Sequence, residues 1–161
     1  MDGSSDPNAP RKAWLSLLAR SAPADVARLW EAARLAPAHD VLRAPEIGAV
    51  MVRGRAGAVG APFNLGEMTV TRTTVALTGG IVGHGYVQGR DKAHATHAAL
   101  IDALMQTDAA AGIESAILAP LRDAANTRRD ARAKRAAATK VDFFTVARGE
   151  DCWRNPRSQA A

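Results

Sequence analysis

Apolar positions fall into three regimes along the chain. In the first 36 residues they recur at helical spacing. Trp14, Leu15, Leu17 and Leu18 follow Pro10, and Val26, Leu29, Trp30 and Ala33 match the i, i+3, i+4, i+7 template. Proline suits a helix first turn, where its missing N–H would have had no partner. Pro10 therefore predicts the start of one helix. Ser21 as N-cap, with Pro23 behind it, predicts a second that Pro37 stops.

Between residues 39 and 89 the pattern changes. Ten of the 13 glycines lie from Gly48 to Gly89, and β-branched residues become common. Val41-Leu42-Arg43, Gly48 to Arg55, Glu67 to Thr78 and Ile81 to Gln88 read as strands. Gly79-Gly80 separates the last two as a hairpin turn, since both positions can take positive φ. Gly54 to Gly66 reads as a flexible, glycine-rich loop. The expectation is a four-stranded antiparallel sheet.

Helical spacing returns after Gly89. His94, His97, Ala98, Ile101, Leu104 and Met105 share one face. A short helix around Ile113 to Ala119 meets Pro120, which starts the next, and Leu121 to Lys140 is rich in Ala and Arg. The fold class is α+β: an N-terminal helical pair, the sheet, then C-terminal helices. Residues 1–9 read as a mobile tail, 10–150 as a single domain and 151–161 as a C-terminal tail.

Composition thins the expected core. Of the 47% apolar residues 36 are Ala, and Leu, Ile, Val and Phe together number only 31 of 161. Such a chain finishes burying its surface against partners. The longest uncharged stretch, Thr73 to Gly89, is broken by five glycines and is no membrane span. No signal peptide is visible in the opening residues, and the expected location is the cytoplasm. Cys152 stands alone, so neither an internal disulfide nor a thiolate cluster is available to this chain.

Four features could carry chemistry. Seven basic residues (Arg122, Arg128, Arg129, Arg132, Lys134, Arg135 and Lys140) against Asp123 and Asp130 give residues 121–140 the whole net charge of +5. Nucleic-acid binding is one reading; a solvated face is preferred, because the segment lacks aromatics for base stacking. Gly83-His84-Gly85-Tyr86-Val87-Gln88-Gly89-Arg90-Asp91-Lys92 resembles a dinucleotide fingerprint only superficially, since Gln88 stands where a glycine is required. Gly89, Arg90 and Lys92 at a helix start could instead hold a phosphate or phosphonate oxygen, or Asp91 could simply cap that helix. Asp91, His94 and His97 could be read as metal ligands, but i and i+6 lie about 120° apart around a helix, and packed histidines are the preferred reading. Tyr86 and Glu67 are possible acid–base groups without a completing constellation. Finally, Phe143, Phe144 and Arg148 are candidate interface residues, aromatics and Arg being enriched at hot spots.

Gly85 to His94 (GYVQGRDKAH) and Ala99 to Gln106 (ALIDALMQ) resemble the G subunit of the bacterial phosphonate carbon–phosphorus lyase system, the PhnG family. Glu46-Ile47-Gly48, Gly66 to Arg72 (GEMTVTR) and Val141 to Glu150 (VDFFTVARGE) resemble it as well, in order, across roughly residues 12 to 150. The Ala-rich helix, His97, Cys152 and the tail from Trp153 fall outside those motifs. The resemblance implies a cytoplasmic core complex with two copies each of G, H, I and J subunits, and ATPase-like K and L subunits in the wider system. That system lets a phosphonate displace adenine from ATP, giving α-D-ribose 1-methylphosphonate 5-triphosphate. The nucleosidase-like I subunit is implied as the site of that step. The J subunit, with S-adenosylmethionine and an iron–sulfur cluster, later cleaves the C–P bond. The family supplies no catalytic residues for the G subunit, so the expectation is a non-catalytic accessory subunit with no cofactor or metal of its own. The alternative is a free-standing basic nucleic-acid-binding protein using residues 121–140.

Overall fold

A computed structural model describes residues 6–57 and 59–139. Helices α1 (Ala9–Arg20) and α2 (Pro23–Ala32) form the N-terminal pair. Strands β1 (His39–Arg55), β2 (Pro62–Leu77) and β3 (Val82–Gln88) form an antiparallel meander in the order β1-β2-β3. Helices α3 (Lys92–Leu104), α4 (Ala110–Ile113) and α5 (Ala119–Ala138) follow, with a π-helical turn at Glu114–Leu118 joining the last two.

The α+β class holds, but the described residues contain three strands, not four. Val41–Arg43 and Gly48–Arg55 belong to one continuous strand. Its register slips between Val41 and Arg43 and again between Arg43 and Glu46, around Pro45. Proline cannot donate to a ladder, and an edge strand absorbs it as an irregularity instead of ending there. The loop expected from Gly54 to Gly66 is also shorter, because Arg55 pairs with Pro62 and both strands extend into the glycine-rich stretch. Gly79 and Gly80, at φ +118° and +85°, make the tight β2–β3 turn.

Two helix boundaries differ from the sequence reading. Ser21 closes α1, its Oγ donating to the Leu17 carbonyl at 2.8 Å, while Ala22 is the N-cap of α2. The second helix ends at Ala32, before a left-handed turn at Arg34 (φ 50°), so Pro37 is not its stop. The π turn precedes Pro120, which sits in the first turn of α5. Ala119 N–H reaches back five residues to the Glu114 carbonyl. Widening the helix there eases the clash a proline ring makes with the carbonyl four residues back.

The core is thin, and small residues let it close. Helix α3 lies directly on β3: a Cβ at Gly83 would overlap the Ala99 carbonyl oxygen, and one at Gly85 would overlap that of Ala95. Glycine on the strand and alanine on the helix bring the two backbones together. Around this contact Leu18, Val26, Trp30, Val75, Val87, Ile101, Ile117, Leu118 and Leu121 complete the cluster.

A buried carboxylate ties three elements to that core. Asp102, with no exposed surface, accepts from Arg11 Nε (3.0 Å) and Nη2 (2.7 Å), from Trp14 Nε1 (2.9 Å) and from the His84 backbone N–H (2.9 Å). Arg11 Nη2 also donates to the Val82 carbonyl at 3.3 Å. The Asp102 hydrogen bonds hold the Arg11 guanidinium pKa above its ordinary value. Helix α1 is thereby pinned to α3 and β3.

Candidate functional site

An exposed arm is formed by β1 and β2. Helix α3 covers only the Thr71–Val75 end of β2 and the facing part of β3, where Thr71, Thr73, Val75 and Val87 are buried. The two strands continue past the Ile47–Thr71 pair over residues 48–55 of β1 and 62–70 of β2. Not one of the 17 residues of β1 is buried.

Register and pleat assign side chains to the arm's two faces. Ile47 pairs with Thr71, Ala49 with Thr69 and Met51 with Glu67, so Ile47 and Met51 continue the core-facing side beyond the helix that covers it. Gly48 pairs with Val70, Val50 with Met68 and Gly54 with Phe63 on the other face. Leu65 leans against Gly54 at the slip between Val52 and Arg53. Met51 is 53% exposed, Phe63 45% and Leu65 66%. An antiparallel sheet with one solvated face alternates apolar and polar residues, whereas one covered on both sides does not. Exposed apolar residues lie on both faces of this arm, Ile47 and Met51 on one and Phe63 and Leu65 on the other, while Val70 at its base is buried. A single Glu46–Arg72 ion pair, with Arg43 Nε 3.6 Å from the same carboxylate, marks its base.

The arm escaped the sequence reading, although a signal was present. Ala49-Val50-Met51-Val52 is a run of four apolar residues inside a strand, the pattern of a strand buried on both faces.

The residues singled out from sequence are dispersed. Gly89 closes β3, its N–H donating to the Thr69 carbonyl and its carbonyl accepting from Thr71 Oγ1. Arg90 and Lys92 follow as exposed residues, and neither side chain has a hydrogen-bond or ion-pair partner among the described residues. Asp91 caps α3, accepting from the His94 N–H at 2.9 Å, so a carboxylate already occupies the place an anion would take there. Tyr86 pairs with Arg72 on one face of the sheet, while Glu67 lies on the other; no acid–base pair is assembled between them. Phe143, Phe144 and Arg148 lie outside the described residues.

Both histidines of α3 are packed. His94 Nε2 meets the Leu18 carbonyl at 3.0 Å, and His97 stacks on Trp30 with ring centroids 5.3 Å apart. Burial lowers the pKa of each below the usual 6.5. Among the described residues no three His, Cys, Asp or Glu side chains cluster as a metal site requires. No helix there is long and apolar enough to cross a membrane.

The basic helix α5 is exposed over most of its length. Arg122 pairs with Glu114 at 2.7 Å and Arg128 with Asp25 at 3.4 Å.

Comparison with known proteins agrees with the resemblance read from the sequence motifs. The family model described as "Phosphonate metabolism protein PhnG" matches residues 9–149. A protein of Rhizobium meliloti (strain 1021), the alpha-D-ribose 1-methylphosphonate 5-triphosphate synthase subunit PhnG, is 46% identical over 147 residues. The aligned region covers 89% of this chain and 92% of that protein.

Proposed function

The chain belongs to the PhnG family of phosphonate metabolism proteins, and from that membership we propose that it is an accessory subunit of α-D-ribose 1-methylphosphonate 5-triphosphate synthase. In that role it serves the step of phosphonate catabolism in which a phosphonate displaces adenine from ATP. Its partners are the H, I and J subunits, two copies of each chain forming a two-fold assembly in the cytoplasm, with K and L in the wider system. The chain brings no cofactor of its own; its work is to complete the assembly.

The observation that carries this reading is the arm. A 17-residue edge strand without one buried residue, with Met51 exposed on one face and Phe63 and Leu65 of β2 on the other, presents the kind of apolar surface that marks an interaction site. A subunit interface covers such a surface. If substrate reaches this chain, Arg90 and Lys92 at the start of α3 are the cations it meets.

Co-expression of a tagged chain with the H, I and J subunits tests the proposal. A stoichiometric assembly is expected, and omitting this chain abolishes formation of the ribose methylphosphonate triphosphate. Recovery of the tagged chain alone, well folded and partnerless, overturns the reading. Arg90→Ala in the intact complex then separates two roles. Lower turnover with assembly intact supports contact with substrate, and lost assembly with unchanged turnover per complex makes Arg90 an interface residue.

A further inference from the structure

A concave site among the described residues is left unused by the subunit role. Between the last turn of α1 and the middle of α5 lies a cleft of about 370 Å³ lined by Arg20, Ser21, Asn126, Arg128, Arg129 and Arg132, together with Leu17 and Ala125. Arginines at 128, 129 and 132 are brought to one side by the helical repeat, since i and i+4 neighbours share a face. Arg20 faces them from α1 and spends its Nε on the Ser16 carbonyl. No acidic residue lines the cleft. Asp25 is divided between Arg128 at 3.4 Å and Arg28 at 3.8 Å. Arg129 and Arg132 have no ion-pair partner among the described residues.

We infer that this cleft is a binding site for a compact phosphoanion such as the tri- or diphosphate group of a nucleotide. Four guanidinium groups around one concavity carry far more positive charge than the half-unit of negative charge at the carbonyl end of α1 can offset. Guanidinium is the side chain whose planar fork matches phosphate oxygens two at a time. Asn126 and Ser21 add neutral polar groups. The walls hold no aromatic side chain on which a base could stack, and α1 closes one flank. Those features favour a short polyphosphate over the extended track that a nucleic-acid strand needs. The inference stands on the cleft alone and is independent of the subunit role; it also lies apart from Arg90 and Lys92.

Calorimetric titration with inorganic tripolyphosphate, on the full chain and on the assembled complex, tests it. Saturable binding of one tripolyphosphate per chain is expected in both. Arg129→Ala with Arg132→Ala should weaken it on the order of tenfold or more, since each removes a charge-assisted hydrogen bond. Lys134→Ala with Arg135→Ala removes the same charge from the same helix outside the cleft and should change affinity less than about threefold at 0.15 M salt, where screening is short-ranged. All four positions are exposed, and far-UV circular dichroism verifies that each variant keeps its helices. The inference is overturned by absence of saturable binding, by equal losses in the two double variants, or by binding confined to the free chain. Tight binding of a 20-nucleotide single strand that tripolyphosphate does not displace overturns it as well.

Discussion

Replacing Asp102 with alanine removes the acceptor for four hydrogen bonds at once, and its cost can be worked from the geometry. Arg11 is about one-third exposed and can turn to water when its partner goes. Trp14 Nε1–H and the His84 N–H have no such escape, because both meet a carboxylate with no exposed surface. Leaving each of these donors unpaired costs about 1–3 kcal/mol, so Asp102→Ala should lose about 4 kcal/mol. Against a total of about 5–15 kcal/mol for a domain this is severe. With an m-value of about 2 kcal/mol/M in urea the midpoint falls by about 2 M. Arg11→Ala should cost less, about 1–3 kcal/mol, since the carboxylate keeps one backbone donor, the His84 N–H, and the Trp14 indole. The double variant should cost little more than Asp102→Ala alone, because the residues share one network. Urea unfolding followed by tryptophan fluorescence and circular dichroism gives all three values. A loss below 1 kcal/mol for Asp102→Ala, or additive costs in the double variant, refutes the reasoning.

Further outcomes follow from the same contacts. Gly85→Ala places a methyl group on the Ala95 carbonyl and 3.1 Å from Thr73 Cγ2, so α3 must lift from β3 at a cost of about 1–3 kcal/mol. Gly48→Ala, which meets nothing within 4 Å, should cost far less, and thermal unfolding compares them. For His94 and His97 the folded-state pKa is depressed by burial, so below 6.5 the unfolded chain binds more protons. Their contribution to stability is therefore complete above that pH and is lost as pH falls through the lower folded-state values. Urea midpoints at pH 7.5, 6 and 5 measure the loss. His97→Phe, which keeps a ring on Trp30, should flatten the profile. On the arm, Met51→Asp with Phe63→Asp should change the free chain's unfolding free energy by no more than about 1 kcal/mol, the usual scale for two exposed positions, yet prevent its recovery in the co-expressed assembly.

Much of the fold was legible because its signals are local. Periodicity marked α1, α2 and α3, and Gly79-Gly80 marked the turn between β2 and β3. Two misreadings came from residues whose role is decided by tertiary context. Val41–Arg43 and Gly48–Arg55 read as separate strands, but an edge strand tolerates the missing donor of Pro45 between them, so the two are one. Ser21 reads as an N-cap, but the chain turns so that its hydroxyl closes the preceding helix. The stretch from Gly83 resembles a dinucleotide fingerprint only superficially in sequence, and its first two glycines, Gly83 and Gly85, seat α3 on the sheet. Asp102 left no sequence signal, since its donors lie 88 and 91 residues away at Trp14 and Arg11 and 18 away at His84. The resemblance of five motif blocks identified the family, whereas the arm became visible only with the register that sets Met51 and Phe63 on opposite faces.

The account rests on the arm being the surface through which this chain joins its complex. Hydrogen exchange of the free chain against the co-expressed assembly, read peptide by peptide, tests this most directly. The account predicts that residues 46–55 and 62–68 exchange readily in the free chain and become strongly protected on assembly. Unchanged exchange across both segments, with protection appearing elsewhere in a stoichiometric complex, would contradict it.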